Sequence, residues 1–268
     1  MTDRNGNDQA SIVARYEAAK KEAIELGFDL EVMRRGRYAF LLSEKNLYEI
    51  RGTAQLGLGR LDDATASLDR AFSLAAARHD DAAIDRVTRA AAYPHFWRGR
   101  SAEAGDVVAR ALPRLSNQAH RERASLQAVY AVYQTDLSRL EVAAEAMRQA
   151  KDTAERAGDA GVLGRVLSSE AYCLWWGRGE VLAAADAGQR ALQLLPPVAV
   201  WDRADAMTGL SQAVLYTGSW ATADTLRSEF DAMARRAGYQ GAMFACEFVE
   251  HHLRWLRTGH TQAFLAEA

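Results

Sequence analysis

Residues 98–104 read Arg98-Gly99-Arg100-Ser101-Ala102-Glu103-Ala104, and variants of this short phrase occur six times in the chain. The other copies lie at 58–64, 137–143, 178–184, 217–223 and 258–264. Counted from the glycine, which is a serine in the third copy, the steps between copies are 40, 39, 41, 39 and 41 residues. A period of about 20–50 residues indicates a solenoid, in which each unit buries its apolar face by stacking on its neighbours.

The residues that follow each glycine predict that every unit is a helical hairpin. Glycine suits a tight turn because it takes a positive φ without steric cost. An alanine follows five residues later, and a second alanine comes two helical turns further along the same face. Because these small side chains let two helices pack closely, the pattern predicts an all-α solenoid of about six antiparallel helix pairs. The alanines are Ala64, Ala104, Ala143, Ala184 and Ala223 at the first position and Ala71, Ala111, Ala150 and Ala191 at the second.

The pattern divides the chain into three parts. Residues 1–10 are polar and predict a flexible tail, residues 11–43 predict N-terminal helices that form a degenerate or capping repeat, and residues 44–268 form the array. Only eight residues follow the turn at 258–260, which is too few for a full second helix, so we expect the last repeat to be incomplete. Either the chain is part of a longer regulator, or a partner or a second copy covers this apolar end by self-association.

The repeat resembles the tetratricopeptide repeat (TPR) family. Gly52, Gly59, Ala64, Leu68 and Ala71 match the family pattern in the first clear unit. The period of about 40 residues is longer than the family's 34. Repeats of this length are similar to those in the sensor arms of bacterial multidomain signalling ATPases, transcription activators and cyclases. The resemblance spans roughly residues 44 to 264. It implies a right-handed superhelix whose concave groove is lined by the first helix of each unit.

The resemblance also implies which residues face that groove. Tryptophan, tyrosine and arginine are the residue types enriched at binding hot spots. The alternative for the tryptophans is core packing between units, with one of the consecutive Trp175 and Trp176 turned towards the groove. The candidate groove residues are Asn46, Glu49, Arg86, Arg89, Tyr93, Phe96, Trp97, Trp176, Gln212, Tyr216 and Arg257.

A local excess of positive charge suggests the kind of partner. Residues 86–123 contain eight arginines against three acidic residues, although the whole chain has a net charge of -2. Arg86 and Arg89 are three residues apart on one helix face, an arrangement that favours carboxylate recognition. The segment therefore predicts either an acidic peptide or anionic ligand near the second and third units, or an ordinary solvated helix face.

Several function classes find no support in the sequence. The near balance of 33 basic and 35 acidic residues argues against nucleic-acid binding. No phosphate-binding loop and no HExxH zinc motif occurs, and the glycine pairs Gly57/Gly59 and Gly177/Gly179 are interpreted as turn glycines. His251 and His252 point about 100° apart on a helix, so they cannot share a metal. We expect no enzyme activity, no cofactor, no metal and no membrane segment, and the absence of a signal peptide predicts the cytoplasm.

Two functions remain. The leading hypothesis is a non-catalytic protein-interaction scaffold or regulatory arm that binds a peptide or partner domain in its concave groove. The alternative is a small-molecule or peptide-signal sensor arm of a larger bacterial regulator. Ligand size separates them, because a sensor needs a closed aromatic pocket and a scaffold needs an open channel.

Overall fold

A computed structural model describes residues 44–237 and 240–259 of the chain. Within these ranges the chain forms eleven α-helices and no strand. The tail predicted at 1–10 and the helices predicted at 11–43 lie outside the described residues, as does the end of the last unit. The helices are α1 (Glu44–Gly57), α2 (Leu61–Ala77), α3 (Asp81–Trp97), α4 (Ser101–Ala111), α5 (His120–Asp136), α6 (Leu140–Ala157), α7 (Ala160–Tyr172), α8 (Val181–Leu194), α9 (Val200–Tyr216), α10 (Trp220–Ala237) and α11 (Gln240–Thr258).

The helices pack in chain order as antiparallel pairs. Units 1 to 5 are the pairs α1–α2, α3–α4, α5–α6, α7–α8 and α9–α10, and α11 is the first helix of unit 6. Each first helix also contacts the first helix of the next unit, so the first helices form a continuous layer from α1 to α11. The predicted all-α solenoid is confirmed. Its handedness remains a prediction.

The alanine pattern forms the seam inside each pair, as predicted from the repeat. Ala64, Ala104, Ala184 and Ala223 have no exposed surface, and Ala143 is 4% exposed. The second set of alanines, Ala71, Ala111, Ala150 and Ala191, is also completely buried. Small side chains at both positions therefore bring the two helices of a unit into close contact, and larger buried residues such as Leu68 and Val108 fill the space between.

The turn between the two helices of a unit requires the left-handed backbone conformation. In the third unit this position is Ser138, which has a φ of 56° although serine carries a Cβ atom. A non-glycine residue in this conformation costs roughly 1–2 kcal/mol, because its Cβ approaches the following carbonyl oxygen. The fold therefore keeps the same turn geometry even where the glycine is missing.

Replacement of Ser138 by glycine is expected to raise the free energy of unfolding by about 0.5–1 kcal/mol. The gain comes from the removal of the Cβ strain, reduced by the greater freedom of glycine in the unfolded chain. Urea denaturation followed by circular dichroism measures it. Ser73→Gly, in the middle of α2, is the control and should lower stability, since glycine is unfavourable inside a helix. A loss of stability in Ser138→Gly would contradict the argument.

A short π-helical segment, Cys173–Arg178, follows α7 and ends at Gly179. Gly177 lies inside this segment and not in the turn, so its interpretation as a turn glycine is wrong; Gly57, which ends α1, is likewise helical. A Cβ atom on Gly177 would lie 2.7 Å from the Cγ2 atom of Thr135, so glycine is needed for the close approach of unit 4 to α5. The wider π turn carries Trp175 and Trp176, and such segments often occur at functional sites.

Candidate binding surface

The structure places the predicted groove residues in several different environments. Asn46 and Gln212 are buried, with exposed fractions of 4% and 8%, so they offer little surface to a ligand. Trp97 is the last residue of α3, and its side chain is outside the described part of the structure. Tyr93 packs against a core cluster, and the other residues divide between ion pairs within the chain and one row of aromatic rings.

Arg86 and Glu49 form an ion pair between the first helices of units 1 and 2. Nε of Arg86 donates to one carboxylate oxygen of Glu49 at 2.8 Å, and Nη2 donates to the other at 3.1 Å. Hydrogen bonding to Glu49 raises the pKa of Arg86 despite partial burial. Both side chains are therefore already engaged by each other, in the bidentate geometry that recognition of an outside carboxylate would require.

Arg89 joins unit 2 to unit 5. Its Nη1 atom donates to Oδ1 of Asp202 on α9 at 3.3 Å, and its Nε atom lies 3.4 Å from Oδ1 of Asp85 on its own helix. Nη1 of Arg165 lies 3.9 Å from the other oxygen of Asp202. We call these four residues, Asp85, Arg89, Arg165 and Asp202, the cross-array cluster. The helices α3 and α9 belong to units 2 and 5, which are not neighbours. The array therefore curves enough to bring the first helices of these two units into contact.

The charges of the cross-array cluster support each other. Burial acts to lower the pKa of Arg89, but the nearby carboxylates of Asp85, Asp202 and Asp205 outweigh it and raise that pKa above its ordinary value. Tyr93, one turn further along α3, packs against a core cluster that contains Ala204, Met207, Phe230 and Cys246. Where α3 and α9 meet, the surface of the first helices is thus covered by the chain's own side chains. Arg89 serves there as a structural ion-pair partner.

Aromatic rings connect the C-terminal ends of the first helices in units 2 to 6. The ring centroids of Phe96 and Tyr133 are 5.6 Å apart, and those of Phe96 and Tyr172 are 6.4 Å apart. Tyr172 contacts Trp175 at 6.2 Å, and Trp175 contacts Tyr216 of unit 5 at 6.0 Å. We call this set the aromatic row; its members are Phe96, Tyr133, Tyr172, Trp175, Trp176, Tyr216, His252 and Trp255.

The second half of the row is open to solvent. Trp176, Tyr216 and Trp255 are 56%, 51% and 39% exposed. Each exposed ring is joined to the next through one further ring: Trp175 lies 5.4 Å from Trp176, and His252 lies 6.4 Å from Tyr216 and 6.3 Å from Trp255. The row therefore begins as part of the core in unit 2 and continues as a surface over units 4 to 6.

Hydrogen bonds hold the buried part of the row in place. The hydroxyl of Tyr172 donates to Oδ1 of Asp136 at 2.6 Å, and Ser101 donates to the other oxygen of Asp136 at 2.8 Å. Burial, together with this hydrogen bond, raises the pKa of the Tyr172 hydroxyl. Asp136 of unit 3 thus fixes a ring of unit 4 and a hydroxyl of unit 2, and the exposed rings adjoin this hydrogen-bonded base.

Three arginines that are close in sequence to Trp176 and Trp255 are paired within the chain. Arg178 lies 3.6 Å from Glu180, and Arg254 lies 3.2 Å from Glu250. Arg257, a predicted groove residue, lies 3.4 Å from Asp224 on α10. The surface around the exposed rings is consequently close to neutral.

A small pocket of about 280 Å³ lies between the π segment and α6. Its apolar floor includes Leu140, Met147 and Cys173, and its rim carries both basic and acidic side chains. Burial raises the pKa of the Cys173 thiol to about 11, so the thiol stays protonated near neutral pH. Among the described residues no group of three or more metal-ligating side chains occurs, and none of the described helices is long and apolar enough to cross a membrane.

Only three of the eight members of the aromatic row were among the predicted groove residues. Tyr133, Tyr172, Trp175, His252 and Trp255 belong to the aromatic row, and none of them was a candidate. A signal existed, because aromatic residues recur two to four positions before the turn glycine in four of the six units, at 96–97, 175–176, 216 and 255. For Asp202 and Arg165, in contrast, no repeated pattern in the sequence indicates that they meet Arg89 in the cross-array cluster.

Comparison with known proteins gives only a distant likeness. No protein-family model and no curated protein matches the chain. Among solved structures, the apo form of RapI is similar, with 15% identity and a TM-score of 0.45 over 82% of this chain. The match covers 59% of RapI, so the chain spans well under two thirds of that protein. This likeness is too distant to indicate a function.

Proposed function

We propose that the chain is a non-catalytic protein-interaction module that binds an extended segment of a partner protein along the aromatic row. The observation that carries the proposal is the exposure of Trp176, Tyr216 and Trp255 in a row that crosses three consecutive units. An exposed aromatic side chain leaves apolar area in contact with water, which costs about 25 cal/mol of free energy per Å². A ligand that covers them recovers that free energy, and tryptophan and tyrosine are typical hot-spot residues.

The location of the proposed site differs from the expected groove. Arg89 and Tyr93 lie in the contact between units 2 and 5, where the inner surface is covered by the chain itself. The open surface lies at the C-terminal ends of the first helices, from unit 4 to unit 6. The predicted residues that we retain for binding are therefore Trp176 and Tyr216, with Trp255 added.

The expectation of an acidic partner loses its main support. Arg86 and Arg89 are paired with Glu49, Asp85 and Asp202, and Arg121 forms an ion pair with Asp159. Arg123 donates to the backbone carbonyls of Leu112 and Leu115 at the end of the preceding unit. Much of the local arginine excess is thus used for contacts between units, so we propose a partner segment of low charge.

A sensor arm for a small molecule is the second candidate, supported by the pocket beside the π segment. Its volume of about 280 Å³ is near the lower end for small-molecule sites, which are usually about 300–1,000 Å³. Lys151 and Glu170 on its rim form an ion pair at 2.7 Å. A ligand there would contact the same segment that carries Trp176, so the two candidates involve neighbouring residues.

Selection from a random peptide display library on the immobilised chain tests the interaction proposal. We expect enriched peptides whose affinity falls about 10–100-fold in the double variant Trp176→Ala/Tyr216→Ala, because each side chain is a hot-spot type on an open surface. Leu182→Ala is the matched control, since Leu182 is 74% exposed on α8 but is not in the row. Peptides that bind the double variant as tightly as the original chain would refute the proposed site.

A further inference from the structure

We infer that the segment bound along the aromatic row is a proline-containing stretch in the polyproline II conformation, with one contact residue in every three. This inference rests on the proposed function and names its ligand class. Three properties of the exposed half of the row support it: the spacing of the rings, the polar groups that the rings carry, and the neutrality of the surrounding surface.

The packing of the first helices sets the spacing that we expect between exposed rings of adjacent units. Trp176, Tyr216 and Trp255 belong to units 4, 5 and 6, whose first helices are in contact in sequence. Packed helices have axes about 8–10 Å apart. A polyproline II helix has three residues per turn and rises about 3.1 Å per residue, so the same face recurs about every 9 Å. Each turn of such a ligand would therefore meet one exposed ring of the next unit.

The exposed rings also match the hydrogen-bonding needs of this ligand. Trp176 and Trp255 carry an indole N–H donor, and Tyr216 carries a hydroxyl that can donate. A polyproline II segment has no internal hydrogen bonds, so its carbonyl oxygens are free to accept, while proline lacks the N–H that would need an acceptor. A surface that combines flat apolar rings with donors is the type that recognises proline-rich segments in other folds.

The charge of the surface favours an uncharged ligand. The arginines beside the exposed rings, Arg178, Arg254 and Arg257, each lie within 4 Å of a carboxylate of the chain, on Glu180, Glu250 and Asp224. A strongly acidic or basic segment would have to break these pairs or leave its own charges unpaired. A segment of prolines and small apolar residues would not.

An amphipathic helix is the competing ligand. Its side chains at i and i+7 recur about every 10 Å, which the spacing of the rings alone does not exclude. Its carbonyl oxygens, however, are already used within the helix, so the indole and hydroxyl donors of the row would find no acceptor on its backbone. The two ligands therefore differ in a way that a peptide series can detect.

The test uses a fluorescein-labelled peptide of four Pro-Pro-Leu triplets, titrated with the whole chain and followed by fluorescence polarisation. We expect saturable binding that weakens about tenfold in Trp176→Ala and in Tyr216→Ala and stays unchanged in Leu182→Ala. Two further peptides complete the series. In one, glycine replaces each first proline, which makes the segment flexible; in the other, alanines replace all prolines, which favours a helix. Both should bind at least about tenfold more weakly than the triplet peptide.

The outcomes separate the inference from the proposed function. Equal or tighter binding of the alanine peptide, or binding of the triplet peptide that does not depend on Trp176 and Tyr216, would overturn the inference. If display selection enriches peptides that lack proline but still depend on these two rings, the interaction function stands and the polyproline II inference falls. If no peptide depends on the rings, both fall. Circular dichroism of each variant verifies that the helices are intact.

Discussion

Replacement of Arg89 by glutamate is expected to lower the free energy of unfolding by about 3 kcal/mol or more. Arg89 lies between Asp85 and Asp202 and holds unit 2 against unit 5, and its side chain is 29% exposed. A carboxylate in its place would remove the cation that Asp85 and Asp202 share, leave Asp202 with Arg165 at 3.9 Å, and add a third negative charge. Urea denaturation followed by circular dichroism at constant ionic strength measures the loss.

Arg148→Glu is the matched control for Arg89→Glu. Arg148 also lies between two acidic residues, Glu145 and Asp152, but its side chain is 61% exposed on α6. Solvent screens such pairs, so its replacement should change stability far less. Adding Asp202→Arg to Arg89→Glu should recover part of the loss, because the charge pair is restored with reversed direction. Equal losses in the two single variants would mean that the cross-array cluster does not stabilise the fold.

Replacement of Phe230 by alanine is expected to lower the free energy of unfolding by about 3–5 kcal/mol. Phe230 is the largest fully buried side chain of the described residues, and on α10 it packs with Ala204 and Met207 of α9 and Cys246 of α11. Removal of its ring leaves a cavity between α9, α10 and α11. These helices cannot all shift inward to fill it. Denaturation measures the loss, and amide hydrogen exchange shows where protection is reduced.

The location of the exchange effect tests the contact between distant units. In a linear array the effect of Phe230→Ala would be confined to units 4 to 6, since each unit supports only its neighbours. Tyr93 of unit 2 packs against the same cluster, so we expect faster exchange in α3 as well. Leu182→Ala, at an exposed position, should change neither stability nor exchange. Unchanged protection of α3 in Phe230→Ala would show that the contact transmits no stability.

The sequence was sufficient for the fold because the determining features are local and periodic. A turn glycine and two alanines at fixed distances specify a hairpin in each unit, and six copies specify an array. The third unit keeps the same turn at Ser138 without the glycine, because the rest of the repeat pattern is present there. The π segment was not predictable, because the spacing of glycines and alanines marks neither the wider turn nor the close approach of Gly177 to Thr135 of the previous unit.

The candidate site was only partly predictable. Trp176 and Tyr216 stand near the ends of first helices, where the repeat pattern places them, and the structure shows both exposed. Arg89 and Tyr93 occupy equally suitable positions in the repeat, yet they contact unit 5. Arg89 and Asp202 are 113 residues apart, and no periodic pattern indicates which distant units meet when the array curves. Which units meet depends on the rotation of each unit relative to the next, added up over the whole array.

The contact between Arg89 and Asp202 has a consequence for the kinetics of folding. Most contacts in a helical-repeat protein are local in sequence, which favours fast folding that can start at any unit. Closing a contact between residues 113 positions apart costs loop-closure entropy, and this cost is smaller once the hairpins between them have formed. The chain should therefore assemble its hairpins rapidly and close the array in a later, slower step, whose rate Arg89→Glu would change while the early phase remains the same.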